Sequence, residues 1–171
     1  LLHFLDSLIL SSLVVDVGAN IGVTLWHALR NSEPDTTFIV FEPSKQCLQG
    51  LKITTSYLER SGHVLEFAIG DSNGRQALHG IGNELHSGGA SLISHSGLRG
   101  HSEDVEVRKL DSIIDEFFQV TPVSLLKIDT EGYDWLKEEL GIHVGIDKSK
   151  NISVADLENL KVCLRMFYIK N

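Results

Sequence analysis

The chain is poor in several features that would each point to a different kind of protein. It has two cysteines in 171 residues. Cys47 and Cys163 lie far apart with no paired spacing, so free, buried thiols in a reducing compartment are favoured over a disulfide. Basic residues are outnumbered, 15 against 23 acidic, for a formal charge of -8. With no run of Lys or Arg, a nucleic-acid surface is excluded as well. No apolar run is long enough to span a membrane: Leu1 to Leu10 is interrupted by Asp6 and lacks a basic leader. It reads as a buried helix or a packing arm. The chain opens on Leu1 rather than Met, as a fragment would, which leaves a removed targeting segment open and the cytoplasm as the default compartment. Hydrophobic residues make up 42%, enough for one substantial core, and a single domain over 1–171 is expected.

Two phosphate-binding signatures are also missing. The dinucleotide fingerprint wants glycines at the first, third and sixth positions of a strand-to-helix turn. Gly18, Asn20 and Val23 stand there, so one of the three is met and Asn20 hinders close approach of a pyrophosphate. The Walker loop wants Gly-Lys-Ser/Thr after four spacers, and Gly18 leads to Val23-Thr24-Leu25 instead. A nicotinamide oxidoreductase is disfavoured on this ground.

What is present is the run Val14-Val15-Asp16-Val17-Gly18-Ala19-Asn20-Ile21-Gly22, followed downstream by Phe41-Glu42-Pro43. A buried strand delivers a glycine turn to the carboxyl edge of a sheet, and the next strand ends in an acid. Glu42 follows Gly18 at close to the spacing of roughly 20 residues typical of an acid that accepts hydrogen bonds from ribose hydroxyls. A turn with Asp16 before it and no phosphate cradle suits a nucleoside ligand with a cationic, amino-acid-like end, because Asp16 and backbone carbonyls can face an ammonium. S-adenosylmethionine is such a ligand.

Elsewhere the pattern alternates strands and helices. Leu13 to Val17 and Thr37 to Phe41 read as buried strands. Between them Ile21, Leu25, Ala28 and Leu29 fall on one helical face, with Trp26 a packing residue. Ser44 is placed to cap a helix carrying Leu48, Leu51 and Leu58. His63 to Ile69 reads as a third strand. Arg75 to Ser102, rich in Gly, Ser and His, is expected to be irregular with short strands at most. Its histidines match no ligand spacing, so no metal is expected. Val105 to Leu110 alternates like a strand, Ser112 opens a short helix to Gln119, and Val123 to Ile128 is a further buried strand. Helices at about Tyr133 to Leu140 and Ser153 to Leu160 and a strand from Val162 to Ile169 complete the reading. This is an α/β chain with a doubly wound, mostly parallel sheet. Asn151-Ile152-Ser153 fits a glycosylation triplet, which matters only in a secreted protein.

Six blocks then occur in order: Val-Asp-Val-Gly-Ala-Asn-Ile-Gly (15 to 22), Phe-Glu-Pro-Ser (41 to 44), Ala-Ile-Gly-Asp (68 to 71), Gly-Ala-Ser-Leu (89 to 92), Leu-Asp-Ser-Ile (110 to 113) and Leu-Lys-Ile-Asp-Thr-Glu-Gly-Tyr-Asp (126 to 134). Together they resemble the FkbM-type S-adenosylmethionine-dependent methyltransferases, over about 13–135, with 136–171 divergent. The resemblance implies a Rossmann-like class I methyltransferase fold, here cut short after a fifth strand, and S-adenosyl-L-methionine as cofactor. It places Asp16, Gly18, Asn20 and Gly22 around the methionine part, Glu42 on the ribose, Ala68 and Ile69 beside the adenine, and Asp71 near its amino group. Asp129 and Glu131 fall near the sulfonium and the acceptor as candidate catalytic residues. In an extended strand end these two point the same way, so one can act as base while the other holds the cofactor or a nearby backbone.

Blander explanations stand beside these. Asp16 can stabilise a turn, Glu42 can cap the following helix, and Asp129 and Glu131 can hydrogen-bond locally. Lys127 is expected to point away from the site, an acceptor-binding role being the alternative. The functional expectation is methyl transfer to an oxygen of a small-molecule or glycan-like acceptor, in an O-methyltransferase. Its competitor is a truncated, non-catalytic relative that binds without turnover. Glu42→Ala is expected to weaken cofactor binding and leave the fold intact.

Overall fold

In the computed structural model the described residues are 12–82, 90–94, 100–109, 112–113 and 123–129. The expected elements at Tyr133 to Leu140, Ser153 to Leu160 and Val162 to Ile169, most of the helix after Ser112, and the Leu1 to Leu10 arm lie outside them.

Strand β1 (Leu13–Val17) is buried at every position, as its Val-rich, non-alternating sequence requires of a strand covered on both faces. Helix α1 (Val23–Leu29) leads to β2 (Thr37–Phe41), and α2 (Lys45–Ser56) to β3 (Gly62–Leu65). The main sheet has the order β3-β2-β1-β7, where β7 is Val123–Ile128, and all of its pairings are parallel. From β1 the chain steps outward to β2 and β3, and only later returns to place β7 on the other side of β1. The order therefore reverses between β1 and β7, and in open α/β sheets ligands bind outside the carboxyl ends of the strands at such a switch point.

The core divides by strand parity. Val14, Phe38, Val40 and Leu125 share one face with Leu25, Leu29, Leu48 and Leu51 of the two helices. Leu13, Val15, Val17, Ile39, Phe41 and Ile128 face the other way, against Phe67, Ile69 and Ile113. Both described helices thus lie on one face, and the second face is covered among the described residues by Phe67, Ile69 and Ile113.

Three local expectations are corrected. The single strand from His63 to Ile69 is two, β3 and β4 (Ala68–Gly70). β2 ends at Phe41, which pairs with Leu65, and Pro43 follows without an amide to donate, so the chain leaves that sheet and finds a new partner. Phe67 fills the break with its ring 5.7 Å from that of Phe41. The new partner is β6 (His101–Lys109), which also pairs antiparallel with β5 (Gly74–Ile81) to give a second sheet, β4-β6-β5. The expected irregular stretch therefore opens with an eight-residue strand, its Leu78 and Ile81 buried with Val105. Finally, Ile21 precedes α1 rather than lining it, and Ile21 and Trp26 are both exposed.

Candidate functional site

The turn after β1 is built from backbone that only a few residues tolerate. Gly18, Asn20 and Gly22 have φ of 74°, 52° and 87°, the left-handed region where glycine has no penalty and asparagine a small one. Gly22 is restricted in space as well, since a Cβ there would stand 2.9 Å from Leu51 Cδ1 and from Thr54 Cγ2. Thr54 Oγ1 in turn donates to the Ile21 carbonyl at 2.7 Å, tying α2 to the turn.

Every amide of this turn is used inside the protein. Gly18 and Ala19 donate to the Phe41 carbonyl at 3.0 and 3.1 Å, and Gly22 to that of Ala19 at 2.9 Å. Asn20 N–H donates to Glu42 Oε2 at 2.8 Å, and Ile21 N–H to Asn20 Oδ1 at 2.7 Å. A phosphate cradle is a ring of unspent amides. This turn has none to offer, which agrees with the missing dinucleotide and Walker signatures.

Glu42 is buried, and its second oxygen, Oε1, accepts from Ser44 N–H at 2.9 Å. Ser44 is the N-cap of α2 but makes no side-chain cap bond. The carboxylate thus pins the turn to the start of α2, and each of its oxygens keeps a lone pair beyond the bond it accepts. Burial lifts the Glu42 carboxyl above its ordinary value, more than the two amides lower it. Glu42→Ala therefore unties two amides, so a cost in stability is expected beside the loss of affinity. Cys47, one turn into α2, is buried as expected, and its thiol is raised by burial first and by the Glu42 charge second.

Asp16 lies on the helix-covered face of β1, with Val40 and Lys127 as its register partners on β2 and β7. Lys127 does not point away. Its Nζ stands 2.9 Å from Asp16 Oδ1, with side-chain exposures of 15% and 2%, and donates to the Gly18 carbonyl at 2.8 Å. The contact with Asp16 is an ion pair not aligned as a hydrogen bond, and Oδ2 has no partner. Asp129 Oδ2 is 3.7 Å from the same ammonium and its side chain is 61% exposed. The Asp129 amide donates to the Val17 carbonyl at 3.0 Å, extending the β1–β7 ladder by one bond. Burial raises the Asp16 carboxyl, against the lowering effect of Lys127. Burial alone would lower Lys127, but Asp16 first and then Asp129 and Glu42 lift it above its ordinary value, so the ammonium is retained.

The structure therefore gathers Asp16, Gly18, Asn20, Gly22, Glu42 and Asp129 at the carboxyl edge of the main sheet, around the β1–β7 switch point. Lys127 belongs with them, and sequence reasoning misplaced it. The available signal was a lone lysine near the end of a buried apolar strand, where burial demands a counter-charge. Ala68 and Ile69 are buried on β4, Ile69 within the core cluster that holds Phe41 and Phe67. Asp71 is exposed in the turn after β4, where Ser72 Oγ donates to it at 2.9 Å. Glu131, Trp135 and Cys163 lie outside the described residues.

No described helix is long and apolar enough to cross a membrane. Compared with known proteins, the chain matches the family model described as "Methyltransferase FkbM domain" over residues 16–136. No curated protein and no solved structure gives a significant match.

Proposed function

The chain belongs to the FkbM methyltransferase family, and from that premise we propose that it transfers the methyl group of S-adenosylmethionine to an oxygen of a small-molecule or glycan-like acceptor. The observation that carries the cofactor reading is the turn at Gly18–Gly22. Its amides are all consumed, yet a buried acid with lone pairs to spare stands at the tip of the next strand. That combination suits a nucleoside without phosphates. The orphaned oxygen of Asp16 and the ammonium of Lys127 add charge of both signs where an amino-acid end would lie.

When bound, the sulfonium supplies a methyl group that is already activated. The protein's task is then to hold an acceptor oxygen in line and keep water out, and positioning of this kind is worth about 7–11 kcal/mol. Glu42 would accept from the ribose hydroxyls. Ala68 and Ile69 would border the adenine, with Asp71 towards its amino group. Asp129, exposed beside the switch point, would take the acceptor's proton, and Glu131, two residues on in the sequence, is the second candidate for this role.

Calorimetric titration with S-adenosylmethionine, with NAD as the control, tests the reading. Saturable binding of the first alone is expected. In Glu42→Ala the affinity should fall at least about tenfold, the lower end for hydrogen bonds to a charged group. Binding of NAD, or undiminished affinity in that variant, would remove the assignment. Binding without methyl transfer to any acceptor would favour the non-catalytic alternative.

A further inference from the structure

We propose that Lys127 recognises the carboxylate of the cofactor's amino-acid end, and that Asp16 acts through Lys127 as its positioning residue. This rests on the S-adenosylmethionine reading and adds to it the group that meets the charged tail.

Asp16 is poorly placed to touch a ligand. Both of its carboxylate oxygens are enclosed by the protein itself. The group that reaches outward is the ammonium beside it. Lys127 keeps 15% of its side chain exposed while its Nζ lies against Asp16 Oδ1 and the Gly18 carbonyl. An ammonium has three N–H bonds. Gly18 accepts one at 2.8 Å, Asp16 faces a second, and the nearest remaining oxygen, Asp129 Oδ2, is 3.7 Å away. Among the described residues the third N–H has no acceptor within hydrogen-bonding distance. A fixed positive charge with at least one N–H unspent among the described residues is thus held at the switch point.

The surroundings narrow what that donor can take. Asp16, Glu42 and Asp129 outnumber the single ammonium, and the turn's amides are spent. A free phosphate would meet three carboxylates and a turn whose own amides are spent. A carboxylate carried on a molecule whose other charges are positive meets its one cation and is attracted by the rest. The amino-acid end of a sulfonium nucleoside has that pattern. Asp16 contributes by keeping Lys127 charged and aimed.

The test compares S-adenosylmethionine with its decarboxylated form, which lacks the carboxylate alone, by calorimetry on the wild-type chain and on Lys127→Met. The wild type should prefer the intact ligand by about tenfold or more, as for a hydrogen bond to a charged group. In Lys127→Met the preference should vanish because only the intact ligand loses affinity. Lys127→Arg should restore part of it, and Asp16→Asn should reduce it. Because Lys127→Met leaves Asp16 buried without a counter-charge, Asp16→Asn/Lys127→Met is titrated beside it, and the wild-type comparison needs no variant. Equal affinity of the wild type for both ligands, or equal weakening of both in the variants, would overturn the role of Lys127 while leaving the cofactor reading in place. Failure of the wild type to bind either would overturn the cofactor reading and this inference with it.

Discussion

The two sheets of this domain handle charge differently. At the carboxyl edge of the main sheet Asp16, Glu42 and Lys127 are drawn inside, and each holds other parts of the fold by named contacts. In the second sheet Glu103 on β6 is drawn in, 14% exposed with Lys45 Nζ 3.0 Å from its Oε1, but the charges that pair across its strands stay outside. Arg75 on β5 pairs with Asp104 on β6, with side-chain exposures of 62% and 65%, and the inward positions are Leu78, Ile81 and Val105. Buried charges cost free energy unless paired, so they persist where they fix a position or await a ligand. Solvated ones decorate a surface that apolar contacts already hold. What sets the main sheet apart is enclosed charge of both signs, Asp16, Glu42 and Lys127, gathered at one edge.

The largest expected effect comes from breaking the buried pair. Lys127→Met should destabilise the fold by about 3–5 kcal/mol in denaturant unfolding, because it leaves Asp16 enclosed and uncompensated. Adding Asp16→Asn should return at least about 1 kcal/mol, the coupling expected of groups in contact. The pH dependence follows from the directions of the two shifts. Asp16 is raised above 3.8 in the fold, so its contribution is fully present below that value and is lost as pH rises through the raised one. Lys127 is raised above 10.5, so its contribution is present below 10.5 and lost as pH rises through the folded value. The stability difference between wild type and the double variant should therefore be greatest in acid and fall in two steps. A difference that grew with pH would reverse the assignment.

How far the sequence reached depended on whether local or long-range pairing decides an element. β1 and β2 are apolar at all but one position each, and β7 at Val123, Leu125, Leu126 and Ile128, so their place in the core was legible from composition. The Gly18–Gly22 turn was legible because its residue types demand left-handed backbone. The second sheet was not, because β5 becomes a strand through its partner β6, with Gly- and His-rich chain between them. The direction of Lys127 was hidden for a related reason. Only the β1–β7 register, which places it opposite Asp16, shows that its ammonium turns inward. The Glu42 carboxylate was legible as a site acid but not as an anchor, since its bond to Asn20 joins positions on different elements.

A middle-sized effect is expected at the turn. Gly22→Ala imposes φ of 87° on a residue with a Cβ and drives that carbon against Leu51 and Thr54. The cost should be about 1–3 kcal/mol in urea unfolding, the range for a strained non-glycine backbone. Cofactor affinity should fall with it, because α2 is tied to the same turn through Thr54. A neutral substitution would mean that the turn relaxes freely and does not fix the site.

The smallest effect should come from the second sheet. Arg75→Ala removes both the ion pair with Asp104 and the bond from Nη2 to the Asp104 carbonyl at 3.0 Å. Exposed pairs of this kind contribute at most about 1 kcal/mol and weaken with salt. The variant should therefore unfold within about 1 kcal/mol of wild type, and the gap should narrow as salt is raised. The register of β5 on β6 is set by the burial of Leu78 beside Val105 rather than by the charges above them. A loss of more than about 2 kcal/mol, insensitive to salt, would show that this pair is shielded in the folded chain, since solvated pairs do not reach that size. The cross-strand charges of the second sheet would then be structural as well, and the difference between the two sheets would narrow.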